Sequence, residues 1–184
     1  MDYLILVNRN NLLDRTYIPE TLVDTKSIYK DNIMLNKQVL KMFNVMKLEA
    51  LKNGYEIDIM SGYRDYNYQE KIYHKLIKEK GFNYAFRHIA PPGASEHQTG
   101  LAIDICIYHD DRCYIEHEIT NYKEIIWLHE NAHRFGFILR YPYNKEEITG
   151  YSYEPWHLRY VGDKASYIYY NKLTLEEYKD LAKT

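Results

Sequence analysis

The chain has 184 residues, with 24 lysines and arginines against 26 aspartates and glutamates, a formal charge of −2 at neutral pH. With no basic stripe gathered on one element, that balance excludes a nucleic-acid footprint, and no apolar run approaches membrane-spanning length. The length suits a single domain, residues 1–184, able to bury a real core without staples. Residues 3–7 read as a first strand. They lack the basic start and long apolar run of a signal peptide, so a cytoplasmic chain is expected, although a form trimmed of an exported anchor would read the same. A polar arm of unassigned path continues through Pro19. From about residue 35 to 53, Val39, Phe43, Met46 and Ala50 recur at helical spacing, with Gly54 as the C-terminal cap. An alternating run of Tyr55, Ile57 and Ile59 leads through Ser61-Gly62-Tyr63 to Arg64, at a strand tip where functional side chains are commonly presented. A second helix over 68–80 closes on Gly81, turns Ile72, Tyr73 and Leu76 inward and leaves Gln69 in its first turn near Arg64. The loop holding Pro91-Pro92-Gly93 is placed to cover a site.

Residues 91–107, PPGASEHQTGLAIDICI, carry the first chemistry. Leu101, Ile103, Ile105 and Ile107 alternate with Ala102, Asp104 and Cys106, which puts Asp104 on the face opposite the aliphatics. A turn at Thr99-Gly100 brings His97 back toward Asp104, and an imidazole nitrogen with a carboxylate oxygen suits Zn²⁺. A loop histidine and a strand aspartate bonded to backbone is the plain alternative. Cys106 shares the face of Asp104 as a small buried residue, and the two cysteines, Cys106 and Cys113, build no disulfide framework. A catalytic zinc needs a third ligand, an open position and a base. Glu154 and His157 are candidates, but a regular strand throws them to opposite faces. They meet only if the backbone is irregular, which Pro155 signals.

Residues 109–118 read as a charged turn, followed by a helix from Asn121 to Phe135 that ends at Gly136. Within it His129-Glu130-Asn131-Ala132-His133 fits the H-E-x-x-H pattern of zinc proteases. Its buried stripe of Ile125, Leu128, Ala132 and Phe135 leaves His129 and His133 on a flank, and the third histidine that one branch of those enzymes has at position 139 is Leu139 here. A strand over 137–141, a turn over 147–150 and a strand through the Glu154–His157 segment follow. Thr174 and Glu177 form a capping box for a last helix with Tyr178 and Leu181 inward. The expected class is α+β, a small mostly antiparallel sheet carrying the site with helices on its other side.

The segments SGYR with Gln69, SEHQTGLAID, GFILRYP and EITGYSYEPWHLRYVG, in this order and at these separations, resemble the zinc D,D-peptidases of the VanY/VanX group, nearest to the VanXY type linked to vancomycin resistance. The resemblance covers nearly the whole chain. It implies one zinc per chain held by His97, Asp104 and His157, with Glu154 as general base and Arg64 facing the scissile carbonyl. It places Gln69, Ser95 and Trp156 along the substrate pocket. The implied partners are D-Ala-terminated peptides or peptidoglycan precursors, and the implied activity is D,D-carboxypeptidase with D-Ala-D-Ala dipeptidase. L,D-carboxypeptidase action on tetrapeptide stems is an alternative. A non-catalytic zinc module that holds cell-wall peptides is another, opposed by Glu154 and Arg64, for which a structural zinc has no use.

Overall fold

The computed structural model describes residues 2–109 and 112–183. Residues 3–7, expected as a strand, form none. The carbonyls of Tyr3 and Ile5 accept from Arg159 Nη2, at 3.1 and 2.7 Å, instead of entering a ladder. The alternation is nevertheless used, since Tyr3 and Ile5 pack on the main core while Leu4 and Leu6 pack on a smaller cluster around Ile138, Val161 and Ile168.

A two-stranded antiparallel ribbon, β1 (Leu22–Asp24) and β2 (Met34–Asn36), precedes the first helix. Asn36 caps that helix, α1 (Lys37–Lys52), by accepting from the amides of Gln38 and Val39. Val39, Phe43, Met46 and Ala50 form its buried stripe, as the spacing predicts. Then follow β3 (Glu56–Ser61), α2 (Tyr66–Lys80) and α3 (Phe82–His88). Helix α2 starts two residues earlier than the pattern suggests because the Asp65 carboxylate accepts from Tyr68 N. It buries Gln69 and Tyr73, leaving Ile72 and Leu76 half-buried.

Strand β4 (Ala102–His109) is the centre of the main sheet. It runs to His109, the first residue of the expected turn, and pairs with β5 (Arg112–Ile115), which a 3₁₀ turn (Glu116–Ile119) follows; Asp110 and Asp111 lie outside the described residues. Helix α4 (Lys123–Asn131) tightens into a 3₁₀ turn (Ala132–Phe135), and β6 (Phe137–Leu139), α5 (Glu146–Thr149), β7 (His157–Tyr160), α6 (Ala165–Tyr170) and α7 (Leu175–Leu181) complete the chain. The capping box of α7 is present and Tyr178 packs inward, but Leu181 is exposed at the frayed end.

The order β3-β4-β7-β6 is antiparallel throughout, and β5 continues the β7 edge of β4. Ile57 and Ile59 stand beside Ile107 and Ile105 and join the α1 stripe in one core. Burying aliphatic side chains of this size stabilises the fold by about 1.5–3 kcal/mol each. With period two, the same strand presents Asp104 on the opposite face. The class is α+β, with the helix α1 packed behind the sheet face that does not carry Asp104.

Candidate active site

Sheet register brings the first groups together. Asp104 lies between Ser61 on β3 and His157 on β7, both directly opposite it across the ladder. Asp104 Oδ1 is 3.1 Å from His157 Nδ1, and Oδ2 is 3.2 Å from His97 Nε2. His97 reaches Asp104 from a 3₁₀ turn (Glu96–Thr99) that Gly100, at φ +68°, reverses into β4. Its Nδ1 lies 2.6 Å from the Gly62 carbonyl, which takes that N–H and leaves Nε2 for the cluster. Gly62 is required by geometry, since a Cβ there would collide with the backbone carbonyl of Met34.

These three side chains fit a single ion. One ligand atom from each of His97, Asp104 and His157 lies within 4.8 Å of the others, and all three residues are buried. Zinc bonds of about 2.0–2.1 Å set tetrahedral donors about 3.3 Å apart, close to the two distances above. His97 Nε2 and Asp104 Oδ1 are buried without hydrogen-bond partners, an arrangement native structures tolerate where a group has another task.

A second carboxylate stands beside them. Glu154, Pro155 and Trp156 form a turn rather than a strand, with His157 N donating to Glu154 O at 3.2 Å. This is the irregularity the sequence required, and it brings Glu154 Oε2 to 3.5 Å from His157 Nδ1. Burial pushes the Glu154 carboxyl up to about 8. Burial alone would lower His157, but Asp104 and Glu96 reverse this and raise it to about 9. Asp104 is held well below its ordinary range against the effect of burial, by His97 and His157. Arg64 donates to Ser61 Oγ at 3.1 Å and sits 3.5 Å from Asp104 Oδ2, its side chain one-fifth exposed.

A cleft of about 340 Å³ opens over Asp104, Glu154 and His157, walled by Arg64, Trp156, His117 and Glu116. A recess of about 50 Å³ beside it is lined by Ser95, Tyr141 and Tyr151. Of the residues assigned to a substrate pocket, Trp156 lines the cleft and Ser95 the recess. Gln69 does not line either space; it is buried, and its amide donates to Ala90 O behind the Ile89-Ala90 wall. A larger hollow of about 830 Å³ between the N-terminal segment and the start of α1 lies apart from these groups.

Sequence reasoning missed Glu96, Arg140, Arg159, Tyr141 and Tyr151. Arg140 and Arg159 are fully buried and both donate to Glu96 Oε1 at 2.7 Å. An arginine inside each of the apolar runs FILRYP and WHLRYV was the available signal, because a charge in a central strand requires a buried partner. Among the described residues, the pair His129 and His133 joins no candidate metal cluster: His129 Nε2 lies 2.9 Å from Pro155 O, and His133 stacks on Tyr169 with ring centroids 4.0 Å apart.

The family profile VanY, D-alanyl-D-alanine carboxypeptidase, matches residues 32–163. The chain belongs to this family, whose zinc peptidase class the fold and the cluster share. It is 37% identical to the bifunctional D-Ala-D-Ala dipeptidase and D-Ala-D-Ala carboxypeptidase VanXYC of Enterococcus gallinarum, over 100% of this chain and 97% of that protein. Among solved structures, the LD-carboxypeptidase LdcB superposes with a TM-score of 0.88 at 42% identity, covering 97% of this chain and 86% of that one. The vancomycin-resistance D,D-pentapeptidase VanY from a VanB-type cassette, solved with Zn(II), gives 0.83 at 36% identity, covering 97% and 99%. Among the described residues, no helix is long and apolar enough to cross a membrane.

Proposed function

We propose that the chain is a zinc metallopeptidase that removes the C-terminal D-alanine from peptidoglycan precursor peptides and splits free D-Ala-D-Ala, with one zinc held by His97 Nε2, Asp104 and His157 Nδ1. The observation that carries this is the convergence of those three donors with the Glu154 carboxylate where the cleft meets its recess. Zinc in such a site supplies a Lewis acid for the carbonyl and makes water nucleophilic near neutral pH.

The residues divide the remaining work. Glu154 takes a proton from the attacking water and delivers it to the leaving amine, and its burial, acting against the lowering effect of His157, keeps its basicity above that of a solvated carboxylate. Arg64, always charged and fixed by Ser61 Oγ, faces the oxyanion that develops on the scissile carbonyl. Ser95, in the recess, receives the terminal carboxylate of the peptide, while Trp156 forms the apolar wall. Gln69 holds the Ile89-Ala90 wall in place through its bond to Ala90 O.

The likeness to LdcB favours a second reading, removal of D-alanine from an L,D-linked tetrapeptide stem. Mass spectrometry of muramyl pentapeptide, muramyl tetrapeptide and D-Ala-D-Ala, each incubated with the zinc-loaded protein, separates the two. The expected result is loss of one D-alanine from the pentapeptide and cleavage of the dipeptide with the tetrapeptide intact. Cleavage of the tetrapeptide alone selects the L,D reading, and no cleavage of any of the three defeats both.

A further inference from the structure

We infer that Glu96 is a positioning residue: its Oε2 receives the Nε2–H of His157 and thereby fixes the imidazole in the tautomer that presents Nδ1 to the metal. This rests on the zinc reading above and adds a residue to it. Glu96 is fully buried, and its two oxygens are used differently. Oε1 takes both arginines, Arg140 Nε and Arg159 Nη1, each at 2.7 Å. Oε2 has no hydrogen-bond partner, and neither has the buried Nε2 of His157, which stands 3.8 Å away. Two orphaned buried atoms, one able to accept and one able to donate, thus face each other on the side of His157 turned away from Asp104.

The arrangement matches what the other histidine does by different means. A metal-ligating imidazole donates its second N–H to a carbonyl or carboxylate, which sets both the tautomer and the ring plane. His97 uses the Gly62 carbonyl and presents Nε2, whereas His157 presents Nδ1 and therefore needs an acceptor beyond Nε2. Glu96 is held rigidly for that task. Arg140 is fixed on its far side by both oxygens of Glu176, at 2.8 and 2.6 Å, and Arg159 by the carbonyls of Tyr3 and Ile5. With Oε1 taken up by both arginines, Oε2 is the oxygen of Glu96 left free to accept.

The test is Glu96→Gln, which keeps the shape. Its amide oxygen accepts the arginines, so its NH₂ takes the place of Oε2 and meets a donor. His157 must then offer a bare Nε2 and carry its proton on Nδ1, where it blocks coordination. Zinc affinity, measured by chelator competition with zinc alone, should fall about 10–100-fold, the usual cost of losing such a partner. Glu176→Gln, which loosens Arg140 but leaves Oε2 in place, should lower the unfolding midpoint with zinc affinity within about twofold. Equal zinc affinity in the parent and Glu96→Gln would overturn the assignment and leave Glu96 a purely structural ion-pair partner. If Glu96→Gln does not fold, ¹⁵N–¹H correlation spectra of the zinc-loaded parent decide. A metal-bound Nδ1 with a slowly exchanging, downfield Nε2–H supports the role, and a metal-bound Nε2 overturns it. A parent that takes up no zinc would instead overturn the zinc reading itself.

Discussion

Helix α4 and the strand pair β4–β7 each bring histidines and carboxylates close in the chain or across a ladder, yet they end in different places. On α4 the motif His129-Glu130-Asn131-Ala132-His133 has metal-protease spacing, but the helix stops at Asn131 and His133 lies in the 3₁₀ turn that follows. His129 is committed to Pro155 O, His133 lies flat against Tyr169, and Glu130 is exposed. Across β4 and β7, by contrast, ladder register sets Asp104 directly beside His157, the turn at residues 96–99 adds His97, and each ring has a group stationed at its other nitrogen. Spacing gives proximity alone. A metal site also needs side chains whose remaining bonds fix their direction and whose facing atoms are left unsatisfied.

The largest effect that sharpens this contrast falls on Glu154. Glu154→Ala should retain zinc, because the donor set is untouched, while turnover drops by about 10²–10⁴, the usual worth of a positioned acid/base. The loss should appear in kcat rather than KM when chemistry limits turnover. Loss of zinc would make Glu154 a ligand, and near-normal turnover would return attention to Glu130. Next, Arg64→Met should lower kcat by about 10²–10³, the range for one oxyanion donor. A change confined to KM in steady-state kinetics would assign Arg64 to substrate binding instead.

Arg140→Met tests the scaffold behind the site. It leaves Glu96 and Glu176 short of a buried partner and should cost about 3–5 kcal/mol in denaturant unfolding. A cost below about 1 kcal/mol, the level of a surface pair, would show the network to be dispensable.

The smallest effect belongs to the α4 pair. Burial holds His129 below its ordinary value of 6.5. As pH falls through that value the unfolded chain takes up a proton that the folded chain refuses, so stability is lost on acidification. His129→Asn should remove part of the drop in urea midpoint between about pH 8 and about pH 5.5. An unchanged slope would mean that His129 titrates in the folded protein as it does when unfolded.

How much of this was legible in the chain differs between elements. The α1 stripe, the alternation around Asp104, the flank position of His129 and His133, and the need for a broken strand at Pro155 all follow from periodicity and one proline. Residues 3–7 misled because their alternation serves two separate cores while Arg159 occupies their carbonyls, a partner 154 residues distant in the case of Ile5. The hairpin partner β5 was hidden by a charged composition that a sheet edge accepts as readily as a turn. Glu96 sits beside His97 in the sequence, yet its role depends on Arg140 and Arg159, which only the β6–β7 packing brings to it.

Zinc content per chain, measured by elemental analysis after equilibration with zinc and removal of excess, locates the metal when the parent, His157→Ala and the double variant His129→Ala/His133→Ala are compared. One zinc is expected in the parent and in the double variant and none in His157→Ala. Full zinc in His157→Ala, or its loss from the double variant, would contradict a site at His97, Asp104 and His157 and move the metal to α4.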